Sequence, residues 1–263
     1  MSRIYISGLL IILAFLPACS NTQKNLPVIQ TEVIREKPED QPYYFDMEVP
    51  KVSGIKSKDV QKDIDSAINS IVNNVTEPFM LEAIKNQKAR EETGSQPFSE
   101  TPDVRSEVYI RYENYLVTAS LISIRFSIQT YLYGMAHPDH KTKVLNYNIE
   151  TAQFIELEDI FKPGTNYLET ISQLTIEDLL DQFKEALAIA PEDMSKRFKE
   201  WINKGAAPEM KNYRNFLLSR DSLVIVFDPY QVASYADGTR VVKIPYTKLK
   251  NIINPEGPLK SLL

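Results

Sequence analysis

Both histidines of the chain lie in one stretch, Tyr131-Leu132-Tyr133-Gly134-Met135-Ala136-His137-Pro138-Asp139-His140. One chemistry open to it is metal binding, with His137, Asp139 and His140 as ligands. The spacing is poor for that. Two histidines three apart in a proline-containing turn do not face one point, and no Glu-bearing helical motif accompanies them. A third ligand such as Asp228 would have to come from a distant loop. A structural turn accommodates the same residues: Gly134 takes an unusual backbone angle, and His137 bonds to nearby backbone. The expectation is a turn without metal or cofactor, with Tyr133 and His137 as candidate ligand-binding side chains.

A second segment, Phe227-Asp228-Pro229-Tyr230-Gln231-Val232-Ala233-Ser234-Tyr235-Ala236-Asp237-Gly238, sits between two strongly apolar runs. Asp228-Pro229 starts a turn and Asp237-Gly238 makes another. Two readings of its tyrosines stand side by side. Tyr230 and Tyr235 form a half-exposed adhesive surface, since tyrosine offers large area at low entropy cost. Alternatively they pack under the loop with their hydroxyls tied to backbone. Asp228, Tyr230 and Tyr235 join the candidate ligand-binding set.

Familiar catalytic arrangements are missing. The sequence has no Gly-x-Ser-x-Gly elbow, and no phosphate-binding glycine loop or dinucleotide fingerprint. Acidic pairs such as Glu156 with Glu158-Asp159 could act on sugars, but they read as solvated charge beside Ile155 and Leu157. No catalytic residue is assigned. A peptidoglycan-acting hydrolase or deacetylase, with His137 and Asp228 drawn together across the fold, is the alternative to a binding protein.

These residues need elements to hold them. Tyr43 to Val49 reads as a strand ended by Pro50. Val60, Ile64, Ile68, Ile71, Val72 and Val75 recur at helical spacing behind the N-cap candidate Ser57. Pro78 should break or kink that helix, and Gly94 to Pro102 is a loop. Ile122, Ile124, Phe126, Ile128 and Thr130 alternate with Ser123, Arg125, Ser127 and Gln129, which predicts a strand with one buried face. Val108, Ile110 and Tyr112 alternate just before it, with a turn expected at Glu113-Asn114. Val144 to Ile149 and Phe154-Ile155 are short strands, and Leu157 to Phe161 is a helical turn. Tyr167 to Ala190 reads as one long helix and Pro191 to Trp201 as another. Leu223 to Phe227 is a central strand, and Val241 to Tyr246 a last one. The mixture predicts an α+β fold with antiparallel sheets packed against helices, in two closely associated subdomains.

The ends of the sequence add a location. Arg3, the apolar run from Ile4 to Leu16 and Leu16-Pro17-Ala18-Cys19 form an export signal too short to span a bilayer. Those last four residues resemble the lipobox of bacterial lipoproteins, and Cys19 is the only cysteine of the chain. The organisation expected is a signal over 1–18, a lipidated Cys19 with a flexible tether over 19–42, one subdomain over 43–140 and a second over 141–263. The lipid bilayer is then a partner through the acyl chains on Cys19. In a diderm cell, Ser20 suggests the outer membrane, facing the periplasm. The formal net charge of −5 and the lack of a basic run argue against nucleic acid as a partner. The acidic excess could draw a cationic protein.

Several motifs together carry a family resemblance. Gly134-x-Ala136-His137-Pro138, Leu157-x-x-Ile160-Phe161-Lys162-Pro163-Gly164, Phe227-Asp228-Pro229-Tyr230 through Tyr235-Ala236-x-Gly238, and Ile244-Pro245-Tyr246 resemble the RsiV-like domain. In its anti-sigma factor that domain receives and inhibits lysozyme. In the peptidoglycan deacetylase PdaC it follows a related N-terminal domain, which residues 43 to about 132 resemble. Asp139 and Ser234 depart from the commoner asparagine and proline. The resemblance implies an α+β fold and binding at the cell envelope, with lysozyme or peptidoglycan as partner. It does not imply sigma-factor control.

Overall fold

The computed structural model describes residues 26–95 and 104–263. The export signal, Cys19 and most of the loop expected from Gly94 to Pro102 lie outside them. Among the described residues nine strands form two sheets. The first has six strands in the order β1 (Val28–Glu36), β2 (Tyr43–Ser53), β3 (Ser106–Val117), β4 (Leu121–Tyr131), β5 (Asp139–Asn148) and β6 (Gln153–Phe154). The second holds β7 (Phe216–Leu218), β8 (Ser222–Phe227) and β9 (Arg240–Pro245). The α+β class and the helix-covered sheets follow the expectation.

One helix, α1 (Lys58–Glu92), covers one face of the first sheet. Ser57 caps it by accepting a hydrogen bond from the Val60 amide at 3.4 Å. Val60, Ile64, Ile68 and Val72 are buried at helical spacing against Val108, Ile110, Ile122, Ile124, Phe126 and Ile128. The expected break at Pro78 does not occur. Pro78 can give no amide to Asn74, but the packing of Phe79 and Ala83 beyond it carries the helix on. Because α1 crosses over from β2 to β3, those two strands are parallel, the exception in otherwise antiparallel ladders.

Several boundaries differ from the sequence reading. The stretch expected as tether contains β1, which pairs with β2 from Val28↔Ser53 to Glu36↔Phe45. Its signal is faint because only Ile29 and Ile34 pack on the core while the other side chains face solvent, as on a charged edge strand. Arg105 fixes the connection that follows, donating at 2.6 Å to the carbonyls of both Pro38 and Gln41. Pro50 does not end β2. It lies beyond Met47, where β3 no longer pairs, so its missing amide is not needed there. The β3–β4 turn falls at Thr118 to Ser120 rather than Glu113-Asn114, because the Thr118 hydroxyl accepts from the amides of Ser120 and Leu121. The subdomain boundary expected after residue 140 would cut β5, which pairs with β4 from Thr130↔Asp139 to Leu121↔Asn148.

The second sheet lies against the other face of the first. Leu217, Val224 and Val226 meet Tyr115 and Val144, while Leu223, Ile225 and Phe227 face a separate core with α2 (Tyr167–Gln182) and α4 (Glu192–Gly205). Buried on both faces, β8 reads as a solid apolar run. The long helix expected to Ala190 stops at Gln182, and α3 (Lys184–Ile189) follows. Phe183 turns the chain because its ring is buried, edge-on to Phe198 at 4.8 Å and under the Arg240 guanidinium at 4.3 Å. A short α5 (Tyr246–Leu249) closes the core.

The overlap also corrects the expected polar face of β4. Ser123 is buried: its hydroxyl donates to Asn146 Oδ1 at 2.7 Å and accepts the Leu218 amide at 2.9 Å. Asn146 Nδ2 donates in turn to the Phe216 carbonyl at 2.8 Å. Polar side chains here are the joint between two sheets, with their hydrogen bonds satisfied as burial requires. β4 therefore has one apolar face and one face covered only over its first residues.

Candidate functional site

The connection from β4 to β5 is pinned from below. Gly134 takes φ +92°, a left-handed angle that glycine adopts without steric cost. The Tyr133 amide donates to Ser106 Oγ at 3.0 Å, and Asn86 Nδ2 donates to the Tyr133 carbonyl at 2.9 Å. The Arg90 guanidinium of α1 lies 4.5 Å from the centre of the Tyr133 ring. Tyr133 thus serves as an anchor to α1. His137, four residues on, is exposed. Its Nδ1 stands 2.9 Å from the Pro138 carbonyl. A carbonyl only accepts, so Nδ1 carries a proton. The expected bond from His137 to nearby backbone is present.

The connection from β8 to β9 arrives from the other sheet and meets this turn. The Tyr230 hydroxyl lies 3.3 Å from His137 Nε2. The Tyr235 ring stacks on His137 with centroids 4.0 Å apart, and lies 5.7 Å from both Tyr230 and His140. Four rings from two sheets thus form one cluster. Tyr230 is 55% exposed and has φ +69°, an uncommon backbone state for a bulky residue. Its neighbours hold it there. Trp201 Nε1 donates to the Tyr230 carbonyl at 3.0 Å, and Gln231 Nε2 donates to the carbonyls of Gly205 and Asn212 at 3.1 and 3.0 Å. A Cβ on Gly205 would come within 1.9 Å of the Gln231 carbonyl oxygen, so only glycine lets α4 approach this loop. Downstream, Ser234 and Asp237 close a reciprocal cap around Tyr235.

Asp228 sits at the root of the same loop. Asn215 Nδ2 reaches its Oδ2 at 3.5 Å, while its Oδ1 is buried without a hydrogen-bond partner. Burial raises its carboxyl above the ordinary value; Thr142 and the Arg125 guanidinium pull the other way, and Asp139 adds to the rise. The hydrogen-bond partners of Asp228 are thus distinct from those of His137, and among the described residues no hydrogen bond joins the two side chains. Among the described residues no group of three or more His, Cys, Asp or Glu side chains is placed to hold a metal ion.

Sequence reasoning missed three contributors: Trp201, Gln231 and Arg125. The first two carry no motif and act only through backbone carbonyls of distant segments. Arg125 stood in the alternation as an ordinary outward residue, yet it is partly buried.

The α+β core of a six-stranded and a three-stranded sheet recurs in known proteins. Residues 158–247 match the family described as Protein of unknown function (DUF3298). The anti-sigma-V factor RsiV of Bacillus subtilis is 24% identical over 246 residues, 90% of this chain and 76% of its own length. The peptidoglycan-N-acetylmuramic acid deacetylase PdaC of the same organism is 28% identical over 152 residues, 58% of this chain but only 30% of its own length. An esterase of Mycobacterium tuberculosis is 33% identical over 94 residues, 36% of each chain. A DUF3298 structure from Bacteroides fragilis aligns with TM-score 0.66 at 16% identity, over 90% of this chain and 98% of that one. Another from Pseudomonas aeruginosa aligns with TM-score 0.58 at 17% identity, over 87% and 94%. These structures share the fold.

Proposed function

We propose that this chain is a non-enzymatic binding module of the bacterial cell envelope, with a protein such as lysozyme as its partner. Lipid on Cys19 holds it to the membrane, on the periplasmic side of the outer membrane in a diderm cell. The observation that carries the binding reading is the His137, Tyr230 and Tyr235 cluster. It presents aromatic area to solvent on a frame that strains Tyr230 and braces it from Trp201 and Gln231. A rigid aromatic patch binds with little ordering cost, and tyrosine is enriched among residues that dominate interface energies. Likeness to RsiV along 90% of the chain supports a protein ligand, and the acidic net charge suits a cationic one.

The second reading is an enzyme acting on peptidoglycan. The likeness to a deacetylase and an esterase favours it. The separate partners of His137 and Asp228 weigh against the pair that it needs.

Interferometry with a soluble form starting at Ser20 tests the proposal. Saturable binding to lysozyme is expected, weakened at least about tenfold by Tyr230→Ala combined with Tyr235→Ala, since interface anchors contribute about 2 kcal/mol or more each. Absence of lysozyme binding, together with release of acetyl groups or fragments from peptidoglycan, would favour the enzyme.

A further inference from the structure

The face of the first sheet turned away from α1 holds a second feature. Arg111 stands opposite Ser127 and Ser127 opposite Thr142, while Gln129 stands opposite His140. With Arg125, Lys141 and Thr239 these residues line a depression of about 150 Å³. Its lining holds three permanent cations and no carboxylate. Two of the cations are engaged. Arg111 pairs with Asp46 at 2.9 Å and Glu48 at 3.5 Å, and Lys141 pairs with Asp139 at 2.7 Å.

Arg125 differs. Its Nε is buried without a hydrogen-bond partner, and no hydrogen bond or ion pair of its guanidinium is found among the described residues. Asp228 acts on it electrostatically but forms no bond with it, and Asp228 Oδ1 is itself unsatisfied. A guanidinium offers five donors and keeps its charge at any physiological pH. Leaving such a donor buried and unpaired is costly, so a partner from outside the chain would relieve it. The matching partner is an oxyanion, whose two oxygens accept a guanidinium's parallel N–H bonds. Around Arg125 stand further neutral donors: the Ser127 hydroxyl and the Gln129 amide.

We infer that this depression is a binding pocket for a carboxylate or phosphate group, with Arg125 as its anchoring donor. It is independent of the aromatic surface as a protein-binding site, although His140 borders both.

Thermal denaturation of the full chain in sodium phosphate and in sodium acetate, each against sodium chloride at equal ionic strength, tests it. At least one oxyanion should raise Tm by several degrees in a saturable way, since a ligand of the native state stabilises by mass action. A response to acetate alone marks a carboxylate pocket, and a response to phosphate alone a phosphate pocket. Arg125→Gln should abolish the response. Ser127→Asp, which sets a carboxylate of the chain itself into the lining, should abolish the response while keeping the Tm in chloride at or above the parent's, so the test survives if Arg125→Gln does not fold. Equal Tm in all three salts would overturn the proposal, as would a shift that persists in either folded variant.

Discussion

Tyr230 and Asp228 are neighbours on one loop and carry different strains. Tyr230 holds a left-handed backbone, a state that costs of order 1–3 kcal/mol and persists where the surroundings over-determine it. Asp228 bears the cost of burial, which raises its carboxyl. The consequence for stability has a definite sign. In the unfolded chain an aspartate ionises near about pH 3.9. Between that pH and the raised folded value, the folded protein binds more protons than the unfolded chain. Stability contributed by Asp228 therefore falls as pH rises through this window. Asp228→Asn removes the burden and keeps an acceptor for Asn215. Its Tm should exceed the parent's at pH 7, with the difference shrinking toward pH 4. A lower Tm at pH 7 would mean that the ionised carboxylate is a net stabilising neighbour of Arg125. The loop turns at Asp228-Pro229 and Asp237-Gly238 were legible in the sequence because turn chemistry is local. The strain at Tyr230 was not, since it is imposed by Trp201 and Gln231 through long-range hydrogen bonds.

At the scale of elements, β4 divides what periodicity can and cannot reveal. Ile122, Ile124, Phe126 and Ile128 face α1, and the alternation marks them correctly. The opposite face changes character along its length. Leu121 and Ser123 are covered by β7, whereas Ser127 is exposed. No local pattern reports that cover, because the Ser123–Leu218 bond joins positions 95 apart. Ser123→Val should cost about 1–3 kcal/mol, as it leaves the Leu218 amide and Asn146 Oδ1 unsatisfied. Ser127→Val, four residues along the same face, should stay within about 0.5 kcal/mol. Urea titration of the two variants measures both. Equal and small losses would mean that the two sheets are not joined through Ser123. The helix through Pro78 teaches the same lesson: local chemistry argues for a break there, and burial of Phe79 and Ala83 overrides it.

At the scale of the molecule, the layers run from α1 through the first and second sheets to α2 and α4, and function is proposed at the seam between the sheets. His137 belongs to a turn of the first sheet, and Tyr230 and Tyr235 to a loop of the second, 93 residues away at the His137–Tyr230 contact. Both segments stood out in the sequence, through their histidines and tyrosines, but nothing in either indicated that they meet. Their meeting depends on how one sheet lies on the other. A binding face made from both segments should be protected as one unit. Hydrogen exchange of the soluble form with and without lysozyme tests this most directly. Slowed exchange is expected together over 134–142 and 228–240, and not over the outer face of α1. Protection of only one of the two segments, or of a region elsewhere with both unchanged, would contradict the shared aromatic surface.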